Sequence, residues 1–175
     1  MTIMEKEKNK IDVNWIGTVN ESQLSTIIKE ITNAKKENIN VEIVMHVQSE
    51  GGNPSCASAF YNWVKLEKIN LITIGLSTVA SAAIVIFLAG KERVCLKHTH
   101  FLLHRNTLTP KGTYDAYRID EDEKILEISS KESARILKRE TRLTKKEINF
   151  ISKQGFFLTA KEAKKKGLVH KIITE

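Results

Sequence analysis

Proline is almost absent, with two in 175 residues, and rigid extended linkers between separate bodies are therefore not expected. At this length one domain with a sizeable core is the natural reading. Cysteine is as scarce. Cys56 and Cys95 sit at no metal-ligand spacing and among apolar neighbours, which reads as two buried thiols rather than a disulfide. Long apolar runs are missing too: the longest, Val79 to Gly90, is interrupted only by Ser81 and falls short of the about 20 residues a bilayer requires. The charged opening, Met1 to Lys10, is not followed by the apolar stretch of a secretory signal. A cytoplasmic protein without a membrane segment is the expectation. No Gly-x-Gly-x-x-Gly and no Gly-x-x-x-x-Gly-Lys occurs, so nothing supports a nucleotide site.

What is present in excess is positive charge, +7 overall. Much of it lies between Lys131 and Lys171, including Lys164, Lys165 and Lys166. Neither an aromatic ladder nor a helix-turn-helix or zinc-finger pattern accompanies it, so it reads as a solvated helix face and nucleic acid is not an expected partner. The opposite run, Asp120 to Glu123, is a weak candidate for meeting basic segments of a neighbouring subunit.

Strands and helices alternate along the chain. Val13 to Ile16 reads as a strand, followed by an amphipathic helix carrying Leu24, Ile27, Ile28 and Ile31, with Asn20 as its cap. The β-branched stretch Val41 to Val47 reads as a buried strand. It runs into Gly51-Gly52, after which Asn53 and Pro54 start a helix. Leu71 to Gly75 reads as a strand, Leu76 to Ala80 as a turn, and Ser81 to Ala89 as a helix apolar on every side and hence buried. Arg93 to Leu96 and Phe101 to His104 read as strands, and Arg105 to Gly112 as a loop. A long helix is expected over about 113–142. Capping boxes at Thr144 with Glu147 and at Thr159 with Glu162 start two short helices, and Leu168 to Ile173 closes the chain as a strand. Alternation of this kind implies βαβ units and a largely parallel sheet.

Two strand-to-helix junctions stand out as candidates for chemistry. At Gly51-Gly52 adjacent glycines permit a sharp turn and bring backbone N–H groups within reach of a ligand; a plain tight turn is the ordinary alternative. At Ser81 a hydroxyl stands where a buried helix begins, among small neighbours and near the positive end of a helix dipole; an N-cap serine is the ordinary alternative there. His104 ends an apolar strand. His98 and His100 share that segment, but their spacing fits no metal pair and no carboxylate completes a set, so metal chemistry is rejected.

In combination these pieces resemble the ClpP family of serine peptidases. The matching parts are Gln48-Ser49-Glu50-Gly51-Gly52, Gly75 to Ala83 with Ser81, Ala89-Gly90-Lys91, Phe101-Leu102-Leu103-His104, and a closing stretch Phe157-Leu158-Thr159-Ala160, Glu162-Ala163 and Gly167-Leu168-Val169. The similarity runs from about Ile16 to Ile172. It implies an α/β fold of the ClpP/crotonase type, built from repeated β-β-α units with a protruding handle helix. A short charged segment, 1–12, precedes a single domain, 13–175. It further implies Ser81 as nucleophile, His104 as base, the backbone N–H groups of Gly52 and Ala82 as oxyanion hole, and no cofactor.

The sequence departs from the family in several places. The aspartate that completes the family's triad is matched by Ile151, leaving Asn149, Ser152 and Glu147 as candidates to replace it, or a Ser–His dyad. An arginine that helps join two rings is matched by Phe150, an aspartate by Gly155, and the Gln-Pro after the histidine by Arg105-Asn106. The expected function is a serine peptidase subunit that cuts peptides or unfolded chains. The alternatives are a weak or inactive subunit kept for assembly or regulation and, least favoured, a crotonase-type acyl-CoA enzyme. A homo-oligomer follows from the long helix, whose Ile125, Leu126, Ile128, Ile136 and Leu137 need a surface to bury against. A ring is the form the resemblance implies, and an AAA+ unfoldase partner is left open.

Overall fold

The computed structural model describes residues 10–107 and 115–174. Residues 1–9 and the breakers Pro110 and Gly112, with Thr113, lie outside the described residues. In chain order the elements are β1 (Lys10–Ile16), α1 (Glu21–Glu37), β2 (Glu42–Ser49), α2 (Pro54–Leu66), β3 (Leu71–Ala80), α3 (Ala82–Leu88), β4 (Glu92–Leu96), β5 (His100–Leu103), α4 (Ala116–Glu140), α5 (Lys145–Ile151), β6 (Phe156–Thr159), α6 (Ala160–Lys165) and β7 (Lys171–Ile173).

Local chemistry starts most of the helices. The Asn20 side chain accepts from the Gln23 N–H, and that of Asn53 from Ser55 with Pro54 in the first turn. Both capping boxes form, Thr144 with Glu147 and Thr159 with Glu162. Helix α3 is buried at every position, as an all-apolar helix must be.

The sheet runs β1-β2-β3-β4-β7, with β5 beside β3 and β6 beside β5. All pairs are parallel except β5 with β6. Strand β3 serves two neighbours. Its first half, Ile72–Gly75, pairs with β4, whereas Thr78–Ala80 pairs with His100–Leu102 of β5. This corrects the reading of Leu76 to Ala80 as a turn. The segment is extended because a distant strand supplies its ladder, a pairing that local sequence does not encode. The antiparallel β6 was likewise not anticipated; Phe156 pairs with Leu103 and Thr159 with His100. Trp15, Phe60, Tyr61, Phe87 and Phe101 are fully buried between the sheet and its helices.

Helix α4 has 25 residues, about 38 Å at 1.5 Å per residue. Only Ile136 and Leu137 near its C-terminal end are buried. That end is locked by Arg93, 5% exposed, whose guanidinium donates to the carbonyls of Leu168 (2.8 Å), Gly167 (3.0 Å) and Glu140 (2.8 Å) and meets the Glu140 carboxylate at 3.4 Å. Tyr61 donates a short hydrogen bond to the same carboxylate, and Lys65 pairs with it at 3.2 Å. Burial pushes the Glu140 carboxyl up, but the hydrogen bonds from Tyr61 and Lys65 and the charges of Lys65 and Arg93 outweigh it and hold it below the usual range.

Arg93→Met removes one cationic partner of that carboxylate, which keeps Tyr61 and Lys65, and the donor to four carbonyls, Gly90 among them; it is expected to destabilise the subunit by about 3 kcal/mol, read by chemical denaturation. A depressed carboxyl contributes stability that is whole above its unfolded value, near 4.5, and is lost as pH falls through the lower folded value. Glu140→Gln is therefore expected to flatten the pH dependence of the melting temperature below about pH 4.5.

Candidate active site

The β3–α3 junction sets the geometry. Ser81 stands at the N-cap position of α3 with φ 55° and ψ −127°, and its side chain makes no capping hydrogen bond. The ordinary alternative for this serine is thereby removed: it starts the helix but does not cap it. Among the described non-glycine residues only Lys68 shares a positive φ, a conformation that is unfavourable without support. Support comes from both sides. The Ser81 N–H donates to the Leu102 carbonyl of β5 at 2.8 Å. On the other side Gly51 lies so close that a Cβ there would fall 2.6 Å from Ser81 Cβ and 2.9 Å from the Ala80 carbonyl oxygen. Gly51 itself has φ 106°, and its N–H donates to the buried Ser49 hydroxyl at 3.0 Å.

Gly52, at φ 146°, forms a parallel bridge with Val19. That bridge is made by Val19 N–H to the Gly51 carbonyl and Asn53 N–H to the Val19 carbonyl, both 2.8 Å. It uses the atoms either side of Gly52 and leaves the Gly52 N–H without a partner among the described residues. A Cβ at Gly52 would meet the Val19 oxygen at 2.3 Å, so only glycine fits. The Ala82 N–H, first in α3, has no acceptor within the helix.

Ser81 and His104 line one small pocket of about 30 Å³, together with Ala82, Asn106 and Ile151. No hydrogen bond joins Ser81 Oγ to His104 among the described residues. Catalytic contacts are often long before substrate binds. His104 Nδ1 lies 2.7 Å from the Arg105 carbonyl oxygen. A carbonyl only accepts, so Nδ1 carries a proton, and in the neutral imidazole Nε2 then holds the lone pair. Ile151, 5% exposed, forms part of the wall. Of the residues weighed as replacements for an aspartate, Glu147 is engaged by Thr144 and Lys166 and the Ser152 hydroxyl by the Asn149 carbonyl; none of the three reaches His104. The acceptor found at His104 Nδ1 is instead a backbone carbonyl, which sequence reasoning missed because a carbonyl belongs to every residue and leaves no signal in sequence.

The pocket adjoins a cleft of about 540 Å³ between α4 and α5, walled by Leu126, Ala134, Leu137, Ile148 and Ile151 with Arg105 at its rim. Among the described residues no carboxylate lines either space, and no group of three or more His, Cys, Asp or Glu could hold a metal. Burial pushes the Cys95 thiol up to about 11, against a weaker opposing pull from its Thr99 hydrogen bond, and raises that of Cys56 as well. Both shifts disfavour the reactive thiolate. Among the described residues no helix is long and apolar enough to cross a membrane.

Comparison with known proteins agrees with this architecture. A proteolytic subunit 2 of the ATP-dependent Clp protease from Treponema denticola is 26% identical over 172 residues, 97% of this chain and 85% of that one. The subunit of the same name from Borreliella burgdorferi is 33% identical over 133 residues, 75% of this chain and 66% of the relative. A proteolytic subunit 3 from Rhizobium meliloti is 32% identical over 142 residues, 76% and 68% of the two chains. Among solved structures, an asparagine-to-aspartate mutant of ClpP1 from Listeria monocytogenes superposes with a TM-score of 0.81 at 24% identity, covering 94% of this chain and 91% of that one. The ClpP-type α/β fold expected from sequence is the fold observed. The family model for Clp protease matches residues 1–175, and the chain belongs to that family as a ClpP-like proteolytic subunit.

Proposed function

We propose that this subunit is a serine peptidase that cleaves peptides or unfolded chains through Ser81 and His104, with a backbone carbonyl standing where the family's aspartate would be. One observation carries the reading. Ser81 is held in a strained, non-capping conformation, in the same pocket as an imidazole whose Nδ1–H is committed to Arg105.

In this mechanism Ser81 Oγ attacks the scissile carbonyl as its proton passes to His104 Nε2. The tetrahedral oxyanion takes hydrogen bonds from the Gly52 and Ala82 N–H groups. His104 then hands the proton to the leaving amine, and water repeats the sequence to free the acyl group. Each oxyanion donor is worth about 3 kcal/mol in the transition state. In another triad enzyme, exchanging the aspartate for an amide, which selects the wrong tautomer, lowers kcat about ten-thousand-fold. The Arg105 carbonyl selects the right tautomer but brings no negative charge to balance the imidazolium. A slow enzyme follows.

A second reading, a subunit kept for assembly, draws on Ile151 at the pocket wall. A crotonase-type enzyme draws on nothing comparable, since among the described residues neither cavity carries the carboxylate it needs. Assembly belongs to both leading readings: Tyr117, Ile119, Ile125 and Ile128 of α4 are exposed and have apolar surface to bury against other copies, in a ring on the family's pattern. An AAA+ unfoldase would supply any ATP dependence, because the chain has no phosphate-binding loop of its own.

A fluorophosphonate probe is expected to label the assembled protein at Ser81, with labelling abolished in Ser81→Ala and strongly reduced in His104→Ala. Ile151→Asp should raise the rate by roughly tenfold or more. Silence in the wild type with labelling in Ile151→Asp would select the assembly reading; silence in both would remove catalysis. Gly51→Ala is expected to lose labelling as well, since its Cβ displaces Ser81. Light scattering should find an oligomer, and only monomer across a concentration series would contradict the role given to α4.

A further inference from the structure

We infer that Asn106 and Ser129 form a clip that positions the imidazole of His104, a role that rests on reading His104 as the base. Strand β5 ends at Leu103, whose ladder partner is Phe156. Beyond it the Arg105 carbonyl has no strand to pair with, so the sheet does not fix its direction. The next residue does. Asn106 Nδ2 donates to Ser129 Oγ on α4 at 3.0 Å, and the Ser129 hydroxyl donates to the Leu126 carbonyl at 3.2 Å. With its proton spent on the helix, Ser129 faces Asn106 as an acceptor, which fixes the amide with its NH2 toward the serine.

The Arg105 carbonyl and the Asn106 N–H belong to one rigid peptide plane. Tethering Asn106 by its side chain therefore restrains the plane that presents the acceptor to His104 Nδ1. The chain of contacts runs from the α4 backbone through Ser129, Asn106 and the Arg105 carbonyl to the imidazole. Asn106 also lines both the small pocket and the larger cleft, so the clip sits beside the reacting groups. Asn106 is thus a positioning residue: it acts on Ser81 only through His104.

The test compares Asn106→Ala, Ser129→Ala and the double variant, each with Ile151 and with Ile151→Asp, in the full-length assembled protein. The readouts are the second-order rate of fluorophosphonate labelling at Ser81 and the crystal structure of Asn106→Ala. With Ile151, each single variant is expected to label roughly tenfold more slowly, and the double variant no more slowly than either. With Ile151→Asp, a carboxylate can take Nδ1 directly and the loss should shrink to less than about twofold. A tether that merely stabilises the loop would slow both backgrounds equally. Equal loss in both, additive loss in the double variant, or an imidazole still bonded to the Arg105 carbonyl in Asn106→Ala would overturn the inference. If neither background labels at all, the catalytic reading fails by itself. The crystal structure then decides alone: an imidazole released from Arg105 upholds the clip, and one retained rejects it.

Discussion

Ser81 keeps φ 55° only while two neighbours hold it there: the Leu102 carbonyl that accepts its N–H, and Gly51, whose missing side chain leaves room for the serine Cβ. A positive φ at a residue other than glycine, asparagine or aspartate is strained by order 1–3 kcal/mol, and the surrounding fold must offset it. Here the offset comes from long-range structure. Strand β5 must lie beside the second half of β3 to supply Leu102, and β2 must end with its bulge at Ser49 to bring the glycines across. The Ser49 hydroxyl, fully buried, then holds the Gly51 N–H. Sheet register, glycine placement and serine geometry form one constraint, and each part of the pocket inherits its position from it.

The pocket this constraint produces is chemically sparse. Its polar side chains are the hydroxyls of Ser81 and Ser133, the Asn106 amide and the His104 imidazole; the thiols are buried with raised pKa values, and among the described residues no carboxylate reaches the lining. Two tasks that a triad aspartate performs together are separable here. Choosing the tautomer needs only an acceptor at Nδ1, and the Arg105 carbonyl is one. Balancing the charge of the imidazolium needs an anion, and charge-assisted hydrogen bonds are roughly twice as strong as neutral ones. Ile151, at the pocket wall, supplies no anion. Orientation without neutralisation is the chemistry that such a pocket offers.

Much of this was legible in the chain before any coordinates. The caps at Asn20, Asn53, Thr144 and Thr159 were readable because each is a contact between residues two or three apart. The all-apolar α3 announced its burial by composition alone. What escaped was non-local or without residue identity. Leu76 to Ala80 looked like a turn because its ladder comes from His100–Leu102. Strand β6 is short, and its pairing with β5 spans more than half a hundred residues of chain. The acceptor at Nδ1 is a main-chain atom, to which side-chain patterns are blind.

The position of β6 bears on how such a subunit is made. The strand that leads to His104 is flanked on one side by β3, complete early in the chain, and on the other by Phe156–Thr159, near its end. During synthesis Ser81 and both glycines leave the ribosome long before that second flank exists. Until it arrives β5 has an open edge, able to recruit a foreign strand, and the segment after Leu103 has no fixed exit. A nascent chain thus carries Ser81 well ahead of the strand that flanks the one leading to His104.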